Sequence, residues 1–267
     1  MQAPSFWWCE AGLAARVLRP FSALYGAVAA RRMRQPGARA AVPVVCIGDP
    51  TVGGAGKTPT AIAVAQRLAA AGERPMFLTR GYGGRLGGPV LVDPTAHAAD
   101  EVGDEPLLLA RDFPTIVSRD RVAGARVAAE QGASVIVMDD GFQNPSLAKE
   151  FSVLVIDAAR GLGNGEVFPA GPLRAPLRTQ VERAHAVLSI GEGDADAGVA
   201  RTAEEAGLPL FRGRIVPEPT ALDRLRGRPV LAFAAIGNPK KLFQALTDAG
   251  VEVRDARPFA DHHVYSQ

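Results

Sequence analysis

Cysteine, lysine and long apolar runs are all scarce in this sequence, and each shortage closes off a class of explanation. Its 267 residues contain two cysteines, Cys9 and Cys46, in unrelated surroundings. A disulfide scaffold and a four-cysteine zinc site are therefore excluded, and a reducing compartment fits. Only Lys57, Lys149, Lys240 and Lys241 are lysine, so arginine supplies the rest of the 30 basic residues. A coding bias toward arginine accounts for that, and arginine abundance by itself carries no function. The N-terminal region has no uncharged stretch longer than residues 20–30, well short of the roughly 20 apolar residues that a spanning helix needs. The remaining composition, 47% hydrophobic and 22% charged, is that of an ordinary globular protein.

The net charge of +2 hides an asymmetry. Residues 1–40 carry Arg16, Arg19, Arg31, Arg32, Arg34 and Arg39 against the single acid Glu10, a local +5 that leaves the body at −3. This head also bears Phe6, Trp7, Trp8, Leu13, Val17, Leu18, Phe21, Leu24, Tyr25 and Val28. From Val17 the apolar residues recur at helical spacing, and Pro20 is expected to divide the segment into a helix pair. A secretory leader is a poor match, because no basic residue precedes Trp8 and two arginines interrupt the apolar region. Two readings remain open for the head: a basic, Trp-bearing amphipathic segment in a membrane interface, or ordinary helices packed on the body. A nucleic-acid arm would call for a denser basic run, so no nucleic-acid partner is expected.

Beyond Pro43 short β-branched runs alternate with helical stretches. Strands are expected at residues 42–47, 75–79, 115–118, 134–138 and 153–156, with helices at 59–71 and 119–131. Continuous apolar strands separated by helices predict an α/β fold, a parallel sheet covered on both faces. A composition change at residues 217–228 marks a boundary. The strand–helix–strand pattern of 229–236, 239–249 and 251–253 then begins a smaller α/β domain.

The sharpest chemical signal is Gly53-Gly54-Ala55-Gly56-Lys57-Thr58, between a strand and a helix. Glycines let backbone N–H groups approach phosphate oxygens, and the helix N-terminus adds more donors. Lys57 suits the β- and γ-phosphates and the Thr58 hydroxyl suits Mg²⁺. Thr51 stands where such a loop usually has its first glycine. Asp139-Asp140 ends an apolar strand, where a phosphate-loop protein keeps the carboxylate that supports Mg²⁺. Gln143 follows as a candidate ligand-orienting side chain. Arg80, in Arg80-Gly81-Tyr82-Gly83, is a candidate for stabilising phosphoryl charge. Gly103-Asp104-Glu105-Pro106 offers a candidate base or a helix cap, and residues 169–174 form a rigid loop presenting Arg174. Asp261-His262-His263 lies near the C-terminus, where an Asp–His pair suits proton transfer better than a metal site without further ligands.

These motifs, in this order, resemble those of the tetraacyldisaccharide 4′-kinase family: T-V-G-G-A-G-K-T-P (51–59), T-R-G-Y-G (79–83), V-G-D-E-P (102–106), D-D-G-F-Q (139–143), P-A-G-P-L-R (169–174) and D-H-H (261–263). The resemblance spans nearly the whole chain and implies a P-loop-type kinase using ATP and Mg²⁺. Its acceptor would be the 4′-hydroxyl of an acylated glucosamine disaccharide 1-phosphate, at the cytoplasmic face of a bacterial inner membrane. Thr51, Val52, Gly53, Gly54, Ala55, Gly56, Lys57 and Thr58 would bind the nucleotide, and Thr58, Asp139 and Asp140 would hold the metal. Asp104 and His262 would form the proton-accepting pair, with Lys57 and Arg80 on the phosphates and Gln143, Arg174 and Arg119 on the lipid. The resemblance divides the chain into interface helices at 1–40, a kinase core at 41–222 and a smaller domain from 223 to 267. Family members usually continue past D-H-H, so that domain is expected to be incomplete. The rival reading is a membrane-associated ATPase switch of the partition type. That class places a lysine just before the paired glycines, and position 52 is valine.

Overall fold

The computed structural model describes residues 3–236, 239–259 and 263, and the chain falls into two compact units. The larger spans Ser5–Gly213 and includes the basic head from residue 5 onward; the smaller takes in residues 1–4 and the chain from Arg214, so the boundary expected at residue 223 lies inside it. The larger unit opens with a 3₁₀ turn (Ser5–Trp8) and helix α1 (Leu13–Met33). There follow β1 (Val44–Gly48), α2 (Lys57–Ala70), β2 (Pro75–Thr79), β3 (Val90–Leu91), α3 (Ala99–Val102), α4 (Asp104–Leu109), β4 (Thr115–Val117) and α5 (Arg121–Glu130). The unit continues with β5 (Val135–Asp139), β6 (Phe151–Asp157), α6 (Leu177–Val181), β7 (Ala186–Ile190), α7 (Asp196–Glu205) and β8 (Leu210–Gly213).

These strands form one sheet in the order β3-β4-β2-β5-β1-β6-β7-β8, parallel except for β3. The apolar runs explain why both faces are covered. Alternate residues of β1 and β5 point to opposite sides. Val44, Cys46, Ile136 and Met138 join a core with α5 and Met33 at the end of α1, while Ile47, Val137 and Phe77 of β2 join one with Ala61 and Ala65 of α2. Burial in the first core pushes the Cys46 thiol up to about 12. The chain leaves β1 through α2 and returns at β2 on one side, whereas β6 pairs on the other. The carboxyl end of β1 is thus a topological switch point, where open α/β sheets form ligand crevices.

The expected break at Pro20 does not occur, and the head is one helix after a short turn rather than a helix pair. Pro20 removes one N–H donor, but Ala15 before it and Ser22, Gly26, Ala30 and Met33 after it lie buried along one face. Packing on both sides of the proline holds the helix together. The buried face is made mostly of small residues. The large apolar side chains point away from the body: Leu13 is 78% exposed, Leu24 68%, Val17 and Phe21 63% each. No helix among the described residues is long and apolar enough to cross a membrane.

The smaller unit contains α8 (Pro219–Asp223), β9 (Val230–Ala234), α9 (Pro239–Asp248) and β10 (Val253–Pro258), with β9 and β10 paired in parallel. It is the strand–helix–strand unit that the spacing predicts.

Close packing at the switch point is testable at Gly48, where an added Cβ would lie 2.3 Å from the Cβ of the buried Phe142. Gly48→Ala is expected to lower the urea midpoint with an unchanged slope, a loss of about 1–3 kcal/mol.

Candidate active site

β1 ends at Gly48, and the next eight residues turn into α2. Gly56 precedes the helix in the left-handed conformation, φ 92°, which glycine adopts without steric cost. The first helical N–H groups have no intrahelical partner and face the loop, the arrangement that receives phosphate oxygens. Thr51 takes the place of the usual first glycine because it pairs with Leu173 in antiparallel fashion, which asks for no positive φ. The Val52 N–H donates to Pro172 O at 2.8 Å. Of the residues expected on the nucleotide, Gly53–Thr58 therefore form the open cradle, while the backbone of Thr51 and Val52 holds the 172–174 segment.

β5 runs beside β1 with Asp139 opposite Ile47, which brings its carboxylate to the first turn of α2. The Thr58 hydroxyl donates to Asp139 Oδ2 at 3.0 Å, and Oδ1 is buried with no hydrogen-bond partner. Burial first, then the charges of Glu105 and Asp140, push the Asp139 carboxyl up to about 7. Among the described residues, Asp140 is the non-glycine residue with a left-handed backbone, φ 53°, a conformation that an L side chain adopts at a cost and that clusters at functional sites. Burial favours its neutral form, but Lys57, Arg174 and Arg121 outweigh burial and hold its pKa below the usual carboxylate range.

A residue that the motifs did not single out completes this array. Asp49, fully buried just beyond β1, accepts from Lys57 Nζ at 2.7 Å and faces Arg174 Nε at 3.1 Å. The same two cations reach Asp140 at 3.7 and 3.6 Å. Burial opposes the charge on Lys57, yet Asp49 and Asp140 raise its pKa, so it stays cationic. Arg174 also donates to Thr51 O at 3.0 Å, placing it on the phosphate loop itself. Gln143 turns its amide nitrogen to Asp49 O (2.8 Å) and the buried Gln180 (3.0 Å), so it braces the loop instead of presenting that donor to a ligand.

The residues present fit Mg²⁺: a threonine hydroxyl, an orphaned buried carboxylate oxygen on Asp139, and Asp140 alongside. Among the described residues no group of three His, Cys, Asp or Glu side chains is placed to hold a metal by itself. Mg²⁺ with a nucleotide does not ask for one, because it takes most of its ligands from phosphate and water.

The Arg80-Gly81-Tyr82-Gly83 and Val102–Pro106 motifs interlock. A Cβ at Gly81 would meet Val102 O at 2.8 Å, and one at Gly103 would meet Tyr82 O at 2.5 Å; both glycines have positive φ. Asp104 heads α4, where its Oδ1 accepts the Glu105 N–H at 3.0 Å. Arg80 is exposed and lies within electrostatic reach of Arg121. Arg119 donates to Gly84 O at 3.2 Å and so ties this loop down. Arg121, two residues on, is 3% exposed, with Nε unpaired and its charge felt by Asp140. Asp120 decides between them: its side chain caps the N–H groups of Val122 and Ala123, so α5 starts at Arg121 and turns that side chain inward. Asp261 and His262 lie outside the described residues.

A family model for tetraacyldisaccharide-1-P 4′-kinases matches residues 14–267. The chain belongs to that family. It is 58% identical over 266 residues to the tetraacyldisaccharide 4′-kinase of Methylobacterium nodulans, covering 99% of this chain and 79% of that protein. It is 55% identical to the enzyme of Rhodopseudomonas palustris BisB18, covering 100% and 78%. The crystal structure of LpxK from Aquifex aeolicus in complex with ATP matches with a TM-score of 0.73 at 27% identity, over 96% of this chain and 84% of that one. The mostly parallel α/β architecture expected for the family is thus the one observed.

The raised pKa of Asp139 has a definite sign. Its carboxyl is easier to ionise in the unfolded chain, so the folded state loses stability as pH rises from the ordinary carboxylate range through about 7. In Mg²⁺-free buffer at pH 8, Asp139→Asn is expected to be more stable than wild type by about 2–4 kcal/mol, and the gap should close near pH 4. Urea unfolding at the two pH values measures it; a pH-independent difference would contradict the assignment.

Proposed function

We propose that this chain transfers the γ-phosphoryl group of ATP to the 4′-hydroxyl of a tetraacyldisaccharide 1-phosphate, working on the lipid at a membrane surface. The observation that carries the reading is the Thr58–Asp139 pair beside Lys57 on a glycine-rich loop at the switch point. It is supported by membership of a family, and likeness to named relatives, whose reaction this is.

Phosphoryl transfer asks a protein chiefly for positioning and charge stabilisation. The Gly53–Thr58 backbone cradles the phosphates, and Lys57 shares its ammonium between them and Asp49. Arg174 adds a second cation on the same loop, Arg121 adds positive charge within reach of Asp140, and Arg80 lies within reach of Arg121. Thr58, Asp139 and Asp140 would hold Mg²⁺, which when bound neutralises charge on the β- and γ-oxygens. Asp104, at the head of α4, takes the proton of the attacking hydroxyl. Arg174 and Arg119 serve the acceptor side, with Gln143 keeping the loop in place.

The lipid reading also rests on α1. Leu13, Val17, Phe21, Leu24 and Val28 follow each other at helical spacing and are all exposed, and Arg16, Arg19, Arg31 and Arg32 flank them. An apolar stripe rimmed by guanidinium groups fits an anionic leaflet, where each basic residue contributes about 1 kcal/mol. On this reading the chain works as a peripheral protein at the cytoplasmic face of the inner membrane.

Purified protein mixed with Mg-ATP and detergent-dispersed tetraacyldisaccharide 1-phosphate should yield phosphorylated lipid. Lys57→Ala should lower that rate by about 100-fold or more, and transfer surviving in the variant would refute the mechanism. ATP hydrolysis indifferent to the lipid would instead support the switch-type ATPase. For the helix, Leu13→Gln combined with Phe21→Gln and Leu24→Gln should weaken co-sedimentation with phosphatidylglycerol vesicles by about tenfold or more, leaving the far-UV spectrum unchanged.

A further inference from the structure

One loop, Glu166–Arg174, is held on one leg by the head and on the other by the phosphate loop. On the head side, Ser22, buried in α1, accepts the Ala170 N–H at 2.9 Å, and Trp7 Nε1 donates to Pro169 O at 3.0 Å. Arg19 donates to Glu166 Oε1 through Nε and Nη2 at 2.9 and 2.7 Å. Phe168 packs between the rings of Trp7 and Tyr25, with centroids at 5.9 and 5.3 Å. Just before the loop, the Asn164 N–H donates to Trp7 O at 2.8 Å. Nearly every residue from Glu166 to Ala170 is thus fixed by a side chain of residues 7–25.

The other leg belongs to the nucleotide site. Pro172 O accepts from Val52, Arg174 N–H donates to Pro50 O at 2.9 Å, and the Arg174 side chain reaches Thr51 O, Asp49 and Asp140. The two legs are cross-linked by Leu173 N–H to Glu166 O at 3.1 Å and Phe168 N–H to Leu173 O at 2.9 Å. A second thread runs beside it: the Arg160 guanidinium lies over the Trp8 ring, 5.0 Å from its centroid, and a Cβ at Gly53 would be 3.9 Å from Arg160 Nη1. A loop anchored at both ends in this way passes a shift of one anchor to the other.

We propose that the head is a positioning element for the nucleotide site as well as a membrane contact. Ser22 and Trp7 set the Glu166–Arg174 loop and, through it, the placement of Arg174 and of residues 50–52. The proposal rests on the reading of this site as the ATP site. Coupling between sites is reciprocal, so whatever seating α1 on a lipid surface does to nucleotide affinity, nucleotide does equally to the affinity for that surface.

The test compares wild type with Ser22→Ala, which removes the acceptor, Ser22→Thr, which keeps it, and Trp7→Phe, which keeps the ring and loses the donor. Binding of a fluorescent ATP analogue with Mg²⁺ to the full chain is measured alongside sedimentation with phosphatidylglycerol vesicles and steady-state kinetics. Ser22→Ala and Trp7→Phe are each expected to weaken nucleotide binding and raise KM for ATP by about fivefold. Vesicle binding should stay unchanged, and Ser22→Thr should match wild type. A role in folding alone would lower the active fraction, hence kcat, without moving KM. Should Ser22→Ala not fold, Trp7→Phe carries the test by itself. Wild-type nucleotide affinity in every folded acceptor- or donor-deleted variant overturns the proposal. Weakened nucleotide binding in a protein that phosphorylates no lipid would instead refute the functional reading and leave the positioning role standing.

Discussion

Burying Asp139 at the end of β5 is the constraint around which the site is arranged. A carboxylate with one oxygen on Thr58 and the other unpartnered destabilises the fold on its own. The register that sets it there, Ile47 opposite Asp139, also brings the phosphate loop alongside and lines up Lys57, Asp49, Asp140 and Arg174. Two cations shared by two carboxylates leave the cluster close to neutral, so the extra buried charge on Asp139 is left for a proton or a metal cation to compensate. On the proposed reading, stability given up at this residue is what equips the loop to work with Mg²⁺.

Much of the frame was legible because continuous apolar strands leave few alternatives. β2 falls on the expected residues, and β1, β5, α2 and the strand–helix–strand unit of the smaller domain fall within a few. Where the reading fell short, the cause is local. Asp49 reads as a turn residue in Ile-Gly-Asp-Pro, and its pairing with Lys57 appears only once the loop folds back on β1. Arg119 and Arg121 are equivalent in sequence until the Asp120 cap sets the start of α5. Pro20 carries a strong breaking propensity that packing overrides. The exposed stripe of α1 shows the same limit: periodicity marks an apolar face, but not whether that face or its small-residue opposite meets the body.

That choice of face connects the two halves of the chemistry. Because small residues pack inward, Ser22 and Gly26 come close enough to the 166–176 segment to touch it, and the large apolar side chains are left exposed. A helix packed the other way would cover its apolar stripe and lose the Ser22 contact. On the proposed reading, one sequence feature serves both the acceptor's location and the shape of the ATP loop.

The most direct measurement is the Mg²⁺ dependence of ATP affinity by calorimetry for wild type and Asp139→Asn. The account predicts that Mg²⁺ tightens ATP binding to wild type and that Asp139→Asn loses most of that gain while keeping its metal-free affinity, since Lys57 and the loop are intact. An Asp139→Asn variant with the full Mg²⁺-dependent gain would contradict it.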